Sequence, residues 1–335
     1  MELQLKNIGM IKEASVKIDG LTVIAGENDT GKSTLGKSLY LQLKSIQNAL
    51  DEEGSFFDSN DFIDYLFNKN MTEKGKITLI LQQNIYWSLE FLNSKLDGIG
   101  RTGEGTDDVD HFLDAKDKLL NPLIIETPLV WNFTDFFRDI AQIESQMNIK
   151  LDYPYLMKDL NFKLHIKSAS NGLDIKEKVT SLMGGEFKKD EMGRYYFDKR
   201  GQRIELVNTA TGIKYFGIFQ VLSQNNYLNE NTVLVLDEPE VHLHPKWQLE
   251  MAKIIVELVK SGVKILVNSH SPYMIEALER YAEKAKVTAD FYLAEDGTID
   301  KIDNNNSKTL AKIFNKLSAP YETFNQMDSE TLKGG

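Results

Sequence analysis

The sequence lacks several features, and each absence excludes a class of protein. It contains no cysteine, which excludes disulfides and cysteine-ligated metal sites and fits a reducing cytosol. No apolar run approaches the roughly 20 residues that a membrane-spanning helix needs. The N-terminus has no basic and then apolar leader of the kind that directs secretion. We therefore expect a cytoplasmic globular protein that does not use a membrane.

Basic residues are outnumbered, 39 against 50 acidic ones, and the net charge is -11. A protein that coats itself in nucleic acid usually needs a basic face, so this balance disfavours broad DNA binding without excluding a local basic groove. The most basic stretch consists of Lys188, Lys189, Arg194, Lys199, Arg200 and Arg203. These residues either contact a nucleic-acid backbone or, as we favour, form the solvated face of a hairpin.

Apolar periodicity predicts an α/β fold at the two ends of the chain. Short alternating strands up to residue 25 precede a glycine-rich loop, and a helix over 32–50 follows it. Further on, two continuously apolar strands, 232–236 and 263–267, enclose a helix over 246–261. This order is typical of a parallel sheet. The last predicted elements are a strand pair over 291–302 and a helix over 308–317.

The middle of the chain is less regular and divides the sequence into the parts 1–50, 51–205 and 206–335. Its predicted elements are an irregular stretch over 51–125 with a strand at 77–81 and an exposed loop at 97–105, a strand over 123–130, a mostly helical region over 134–183, and a hairpin near Phe187 to Leu206 with turns at 192–193 and 200–201. We expect this middle part to be an insertion into the α/β core.

The glycine-rich loop fits the pattern Gly-x-x-x-x-Gly-Lys-Ser/Thr between a strand and a helix. Its residues are Gly26, Glu27, Asn28, Asp29, Thr30, Gly31, Lys32, Ser33 and Thr34. The glycines let the backbone wrap closely around phosphate, and the helix presents its positive end to the anion. Lys32 would reach the β- and γ-phosphates, and the Ser33 hydroxyl would join a Mg²⁺ shell. The loop therefore predicts a nucleoside triphosphate site.

An acidic pair follows the apolar strand 232–236. Asp237 and Glu238 would lie at the carboxyl edge of the sheet, where ligands bind in such folds. Asp237 would hold Mg²⁺, and Glu238 would orient and deprotonate the attacking water. By itself the pair is also compatible with an ordinary acidic turn.

Two further segments are candidates for phosphate contacts. His270, after the strand 263–267, would hydrogen-bond the γ-phosphate, although the same segment also fits a helix start capped by Ser269 or Ser271. Thr211 and Gly212 precede an apolar helix that we place near Tyr215. From the residues alone we favour an ordinary capping turn at Thr211.

Together the four motifs resemble the ABC ATPase superfamily, most closely the small bacterial ATPases related to OLD (overcoming lysogenization defect) proteins and the SMC and RecF-like heads. The segments that carry the resemblance are 24–34, 209–214, 268–272 and 236–245, whose run His242-Leu243-His244-Pro245 is characteristic of OLD-like ATPases. The fold implied is an α/β P-loop NTPase of ABC type, with a mostly parallel central sheet, an N-terminal antiparallel part and an inserted helical and hairpin region.

The resemblance also implies a head-to-tail homodimer that sandwiches two ATP molecules with Mg²⁺. The residues implied to act in cis are Lys32, Ser33, Asp237, Glu238 and His270. Thr211 and Gly212 would contact the γ-phosphate of the partner's ATP, although this chain has Thr211-Gly212-Ile213 where transporter heads carry Ser-Gly-Gly. The glutamine that usually couples to Mg²⁺ is not evident, because Gln82 and Gln83 follow a strand of uncertain place.

Three functions remain open at this point. The first is an ATPase that drives or gates a separate effector such as a nuclease, as in anti-phage or toxin–antitoxin-like systems. The second is a DNA repair or recombination ATPase of RecF type, and the third is a nucleotide-gated binding module with slow turnover. The 65 residues after His270 are too few for a typical further domain, so we expect no nuclease domain there.

Overall fold

The computed structural model describes residues 1–50, 59–67, 71–82, 85–101, 120–148 and 154–319. The strands are β1 (Glu2–Ile8), β2 (Ile11–Lys17), β3 (Leu21–Ala25), β4 (Lys74–Gln82), β5 (Ile85–Leu92), β6 (Lys95–Arg101), β7 (Asn121–Ile125), β8 (Glu186–Lys189), β9 (Tyr195–Lys199), β10 (Gln202–Glu205), β11 (Thr232–Asp237), β12 (Lys264–Ser269), β13 (Ala289–Glu295) and β14 (Thr298–Asp300). The helices are α1 (Lys32–Leu50), α2 (Ser59–Leu66), α3 (Thr134–Met147), α4 (Tyr155–His165), α5 (Lys176–Met183), α6 (Thr211–Gln224), α7 (Pro245–Lys260), α8 (Pro272–Ala285) and α9 (307–319). No helix among these residues is long and apolar enough to cross a membrane.

Five strands in the order β13-β3-β12-β11-β7 form a parallel core, which confirms the predicted α/β fold. Alternate residues of β3 serve opposite faces of the sheet. Val23 packs with the cluster that includes α6, α7 and α8, whereas Ile24 packs with the cluster that includes α1. Because neighbouring strands are parallel, the segments that follow β3, β7, β11 and β12 meet at one edge.

The predicted N-terminal antiparallel part is confirmed and is larger than expected. Strands β6-β5-β4-β1-β2 continue the same sheet, joined to the parallel core through β14. The prediction of a loop from residue 97 was wrong as far as Arg101, because these residues form β6 against β5. Gly100 misled the prediction, because it lies within the strand, where a Cβ would approach the Ser88 Oγ to 2.5 Å. Residues 102–105 lie outside the described residues.

The strand predicted over 123–130 ends early. It stops at Ile125, and a 3₁₀ turn runs over Pro128–Asn132. Pro128 cannot donate to a strand ladder, and the Thr127 hydroxyl caps the turn by accepting from the Leu129 N–H at 3.2 Å. The segment after β7 therefore turns away from the sheet edge.

The predicted helices and hairpin of the middle region are confirmed within the described residues. Strands β8, β9 and β10 form a small antiparallel sheet with turns near the expected positions. Two of its basic side chains are in ion pairs. Lys188 pairs with Asp198 at 2.7 Å, and Arg203 pairs with Asp190 at 3.0 Å. These pairs favour the solvated hairpin face over a nucleic-acid groove.

The small sheet packs on α6 at a glycine. A Cβ on Gly217 would lie 2.5 Å from the Phe187 Cζ, and Phe187 itself stacks on Trp131 at 4.9 Å between ring centroids. No side chain larger than hydrogen fits between α6 and this buried ring pair.

We expect Gly217→Ala to destabilise the protein, although alanine favours a helix over glycine by up to about 1 kcal/mol. Overpacking a closed core costs about 1–3 kcal/mol, which outweighs that gain. Urea unfolding measures the difference, and adding Phe187→Leu should recover part of the loss by opening space. A Gly217→Ala variant as stable as the wild type would contradict the packing described here.

Candidate phosphate-binding and catalytic site

The glycine-rich loop joins β3 to α1 and has the shape of a backbone cradle. A Cβ on Gly26 would lie 2.6 Å from the Ala294 carbonyl oxygen, so only glycine fits there. Asp29 and Gly31 have φ angles of 60° and 92°, in the left-handed region. Successive N–H groups in such a loop converge on an anion, and α1 begins directly behind it at Lys32.

Lys32 lies inside this cradle and is only 4% exposed. Its Nζ donates to the carbonyl oxygens of Gly26 at 3.0 Å and of Glu27 at 2.6 Å. Burial lowers the pKa of Lys32, and the nearby carboxylates of Glu238 and Asp237 oppose that effect. The ammonium is thus held where phosphate oxygens could replace the two carbonyl partners.

Ser33 and Asp237 meet beside the lysine. The Ser33 hydroxyl donates to the Asp237 Oδ1 at 3.0 Å, and the Asn268 amide donates to the same oxygen at 2.8 Å. A hydroxyl and a carboxylate are hard oxygen ligands, so this pair fits Mg²⁺. When bound, Mg²⁺ would neutralise charge on the phosphates, and Ser33 and Asp237 would hold it.

Glu238 and His270 project side by side from neighbouring strand ends. Glu238 has a φ of 49°, and its N–H donates to the Asn268 carbonyl at 2.9 Å, which fixes the turn after β11. Its Oε1 lies 3.2 Å from the His270 Nδ1, and the two side chains are 33% and 40% exposed. An Nδ1 that faces a carboxylate carries the proton, so the Nε2 can donate to a phosphate only when the ring is an imidazolium.

The alternative interpretation of the His270 segment also holds. The Ser271 hydroxyl accepts from the Met274 N–H at 3.3 Å and caps α8. The cap uses Ser271, so it does not conflict with the predicted phosphate contact of His270.

Lys32, Ser33, Asp237 and Glu238 line an open cleft of about 660 Å³, part of which is open solvent, and His270 is connected to it through its contact with Glu238. Its lining consists of Met10, Asn28, Asp29, Thr30, Gly31, Lys32, Ser33, Thr34, Asp237 and Glu238. Met10, in the turn between β1 and β2, was not foreseen, and it is 54% exposed. It gives a mostly polar cleft one apolar wall.

Thr211 and Gly212 lie elsewhere, at the start of α6. They do not line the cleft, and the helix begins at Thr211 rather than near Tyr215. Ala210 occupies the N-cap and makes no side-chain hydrogen bond, so the capping-turn interpretation of Thr211 was wrong. Gly212 faces Trp247 on α7, the helix that follows the acidic turn. A contact with phosphate by these residues would have to be made to another molecule's nucleotide.

Two acidic residues near the site were missed. Glu126 follows β7 and pairs at 3.2 Å with Lys37, one helical turn beyond Ser33. It occupies the sheet edge beside Asp237, whereas Gln82 ends β4 in the antiparallel part and Gln83 lies outside the described residues. Sequence alone could have found Glu126 only by recognising β7 as the neighbour of β11.

Glu240 is the second missed residue, and it is buried to 5% exposure behind His270. Burial raises its pKa, and hydrogen bonds from Ser269 and from the His270 backbone oppose that rise. Its only sequence signal was a carboxylate two residues after Glu238 in a turn.

Comparison with known proteins gives a consistent result. Residues 91–275, from β5 to α8, match the family described as AAA ATPase domain. The Old nuclease of Escherichia phage P2 is 26% identical over 139 residues, which are 41% of this chain and 23% of the nuclease. The chain therefore matches less than a quarter of that relative's length.

Solved structures with a similar fold include SMC heads. An Smc head bound to the C-winged helix domain of ScpA aligns with a TM-score of 0.53 at 13% identity, covering 92% of this chain and 98% of that one. An Smc head with an extended coiled coil, bound to the C-terminal domain of ScpA from Pyrococcus furiosus, gives 0.49 at 12% identity, covering 94% and 99%. The first likeness supports the same fold, and together with the family match and the Old nuclease it agrees with the resemblance to OLD-like ATPases with SMC-type heads.

Proposed function

The chain belongs to the AAA ATPase domain family, and from this premise we propose that it binds ATP with Mg²⁺ and hydrolyses it to ADP and phosphate. The observation that carries the proposal is the convergence of Lys32, the Ser33–Asp237 pair and Glu238 at one cleft, with His270 in contact with Glu238. A cation, a hard oxygen pair and a base beside a histidine are the groups that phosphoryl transfer to water needs.

Each side chain has a role that follows from its position. Lys32 exchanges its carbonyl partners for β- and γ-phosphate oxygens, and the loop N–H groups orient the triphosphate. Glu238, partly open to the cleft, accepts the proton of the attacking water. His270, held at 3.2 Å by Glu238, donates from its Nε2 to the γ-phosphate when cationic and stabilises the charge that develops there.

The site of one chain is incomplete in this scheme, because Thr211 and Gly212 do not line the cleft. We therefore propose a head-to-tail homodimer in which these residues contact the partner's ATP. The start of α6 offers unpaired N–H groups, since Ala210 provides no side-chain cap. The anion that satisfies them would be the γ-phosphate across the dimer.

Turnover by such a dimer would drive or gate a separate effector. The partial similarity to the Old nuclease supports an effector of nuclease type, and it supports a role in anti-phage defence or a toxin–antitoxin-like system. We place the effector's docking site on the inserted part, 51–205, because the shared core between 1–50 and 206–335 does not need it.

Two alternatives follow from other observations. The SMC-head fold favours a DNA repair ATPase of RecF type, and stimulation of turnover by DNA ends would establish it. The net charge of -11 and the ion pairs of Lys188 and Arg203 in the hairpin weigh against that function. The second alternative is a nucleotide-gated binding module, and it is retained if the turnover of ATP does not depend on Glu238.

Mixing two inactive variants tests both the activity and the dimer. A Lys32→Met chain lacks a functional loop, and a Thr211→Arg chain lacks a functional trans contact. In a mixed head-to-tail dimer both defects fall on one site and leave the other intact. Random assortment of subunits should restore about a quarter of wild-type turnover.

The matched control mixes Lys32→Met with Glu238→Gln. Both residues act in cis, so the two defects fall on different sites and no turnover returns. Recovery in this control, or none in the Thr211→Arg mixture, would contradict the trans assignment, whereas an inactive wild type would contradict hydrolysis itself.

A further inference from the structure

Glu240 makes an unusual set of contacts in the turn between β11 and α7. One carboxylate oxygen, Oε1, accepts from the Ser269 hydroxyl at 2.7 Å, the His270 N–H at 2.9 Å and the Ser271 N–H at 3.1 Å. Three consecutive residues of a distant segment are thus tied to one buried atom.

The segment that Glu240 holds is the one that carries His270. It joins the end of β12 to the start of α8, and the first N–H groups of a helix have no partner within the helix. A carboxylate satisfies such groups and interacts favourably with the helix dipole. The backbone beneath the imidazole is therefore fixed from the acidic turn rather than by its own strand.

The ring itself is also flanked by this carboxylate. The His270 Nδ1 lies 3.2 Å from the Glu238 Oε1 and 3.5 Å from the Glu240 Oε1. Glu238 is partly exposed, whereas the Glu240 side chain is 4% exposed. The Glu238 carboxylate is therefore partly open to the cleft, whereas the Glu240 carboxylate is buried in the protein interior.

The second carboxylate oxygen of Glu240 takes no part in these contacts. The Glu240 Oε2 is buried and has no hydrogen-bond partner among the described residues, a situation that is costly in a folded protein. The Tyr215 hydroxyl on α6 is likewise buried and without a partner in the described part. Burial, and after it the negative charge of Glu240, raises the pKa of Tyr215.

We infer that Glu240 is a positioning residue for hydrolysis, which acts by holding the His270 ring towards the γ-phosphate. The inference rests on the proposed ATPase function. In this role Glu240 connects the acidic turn after β11 to the segment after β12. The connection keeps the Glu238 and His270 side chains at a fixed distance and orientation.

A double-mutant cycle with His270 tests this role in the full-length chain. Glu240→Ala should lower kcat about 10-fold to 100-fold, because misplacement of a catalytic group by an ångström has effects of that size. KM for ATP should stay within about threefold, since the phosphate cradle is untouched. On a His270→Ala background, Glu240→Ala should lower kcat no further.

Conservative variants keep the test independent of folding. In Glu240→Gln the amide oxygen can still accept the three donors, so most of kcat should be retained. Glu240→Asp withdraws the carboxylate by one methylene and should lower kcat, again with no added loss when His270 is alanine. Glu276→Gln on the surface of α8 is the matched control and should leave kcat unchanged.

The possible failures are distinct. Multiplicative losses of kcat in the double variants, or a rise in KM that accounts for the whole effect, would overturn the positioning role while leaving the ATPase intact. A wild-type chain with no turnover of ATP would instead contradict the proposed function, because the double-mutant cycle needs the wild-type kcat as its reference.

Discussion

Glu238→Gln should lower the turnover of ATP by about 100-fold or more, because it removes the group that accepts the proton of the attacking water. The change keeps the shape of the side chain and the left-handed turn at Glu238, so ATP should still bind. A dimer closed around ATP would then persist. Light scattering should give a doubled mass with ATP and Mg²⁺ and a monomer mass without them.

Glu276→Gln, on the surface of α8, controls for the loss of one negative charge. This variant should neither lower the turnover of ATP nor trap a dimer with ATP. Wild-type turnover in Glu238→Gln would contradict the base assignment. An inactive variant whose mass is the same with and without ATP would still agree with Glu238 as the base. It would remove support for an ATP-dependent dimer and for the trans role of Thr211 and Gly212.

Lys32→Met should abolish ATP binding while leaving the protein folded. Two charge-assisted hydrogen bonds to phosphate contribute roughly 1.5–3 kcal/mol each, so Kd should rise by about 100-fold or more. Folding should not suffer, because Lys32 is only 4% exposed and an apolar side chain avoids the cost of burying an ammonium. Calorimetric titration measures Kd, and thermal unfolding shows whether ATP still raises Tm.

Lys260→Met, at the exposed end of α7, removes the same charge from the opposite edge of the sheet and should leave both readouts unchanged. An ATP-induced rise in Tm that survives in Lys32→Met would show that the nucleotide binds elsewhere.

The phosphate cradle and the acidic pair could be predicted because their signals are local. Nine consecutive residues specify the loop, and an apolar strand leading into Asp237 and Glu238 specifies the sheet edge. Once both strands are assigned to a parallel sheet, chain direction alone brings their ends together.

The remaining parts of the site depend on contacts that no local pattern encodes. Glu240 binds residues about thirty positions away, and its role is visible only when β11 and β12 lie side by side. Glu126 required the knowledge that β7 pairs with β11 rather than with the strands before it. At Gly100 the usual meaning of glycine was misleading, because this residue lies within a strand opposite Ser88 and not in a turn.

The position of β3 in the sheet has a consequence for how the chain is made. This strand, which leads into the phosphate cradle, pairs on both sides with strands synthesised much later, β12 at Lys264–Ser269 and β13 at Ala289–Glu295. At about 5–20 residues per second a ribosome needs on the order of 10–50 s to produce the first of them. During that interval β3 has neither of its neighbouring strands, so we expect the proposed nucleotide site to form only late in synthesis.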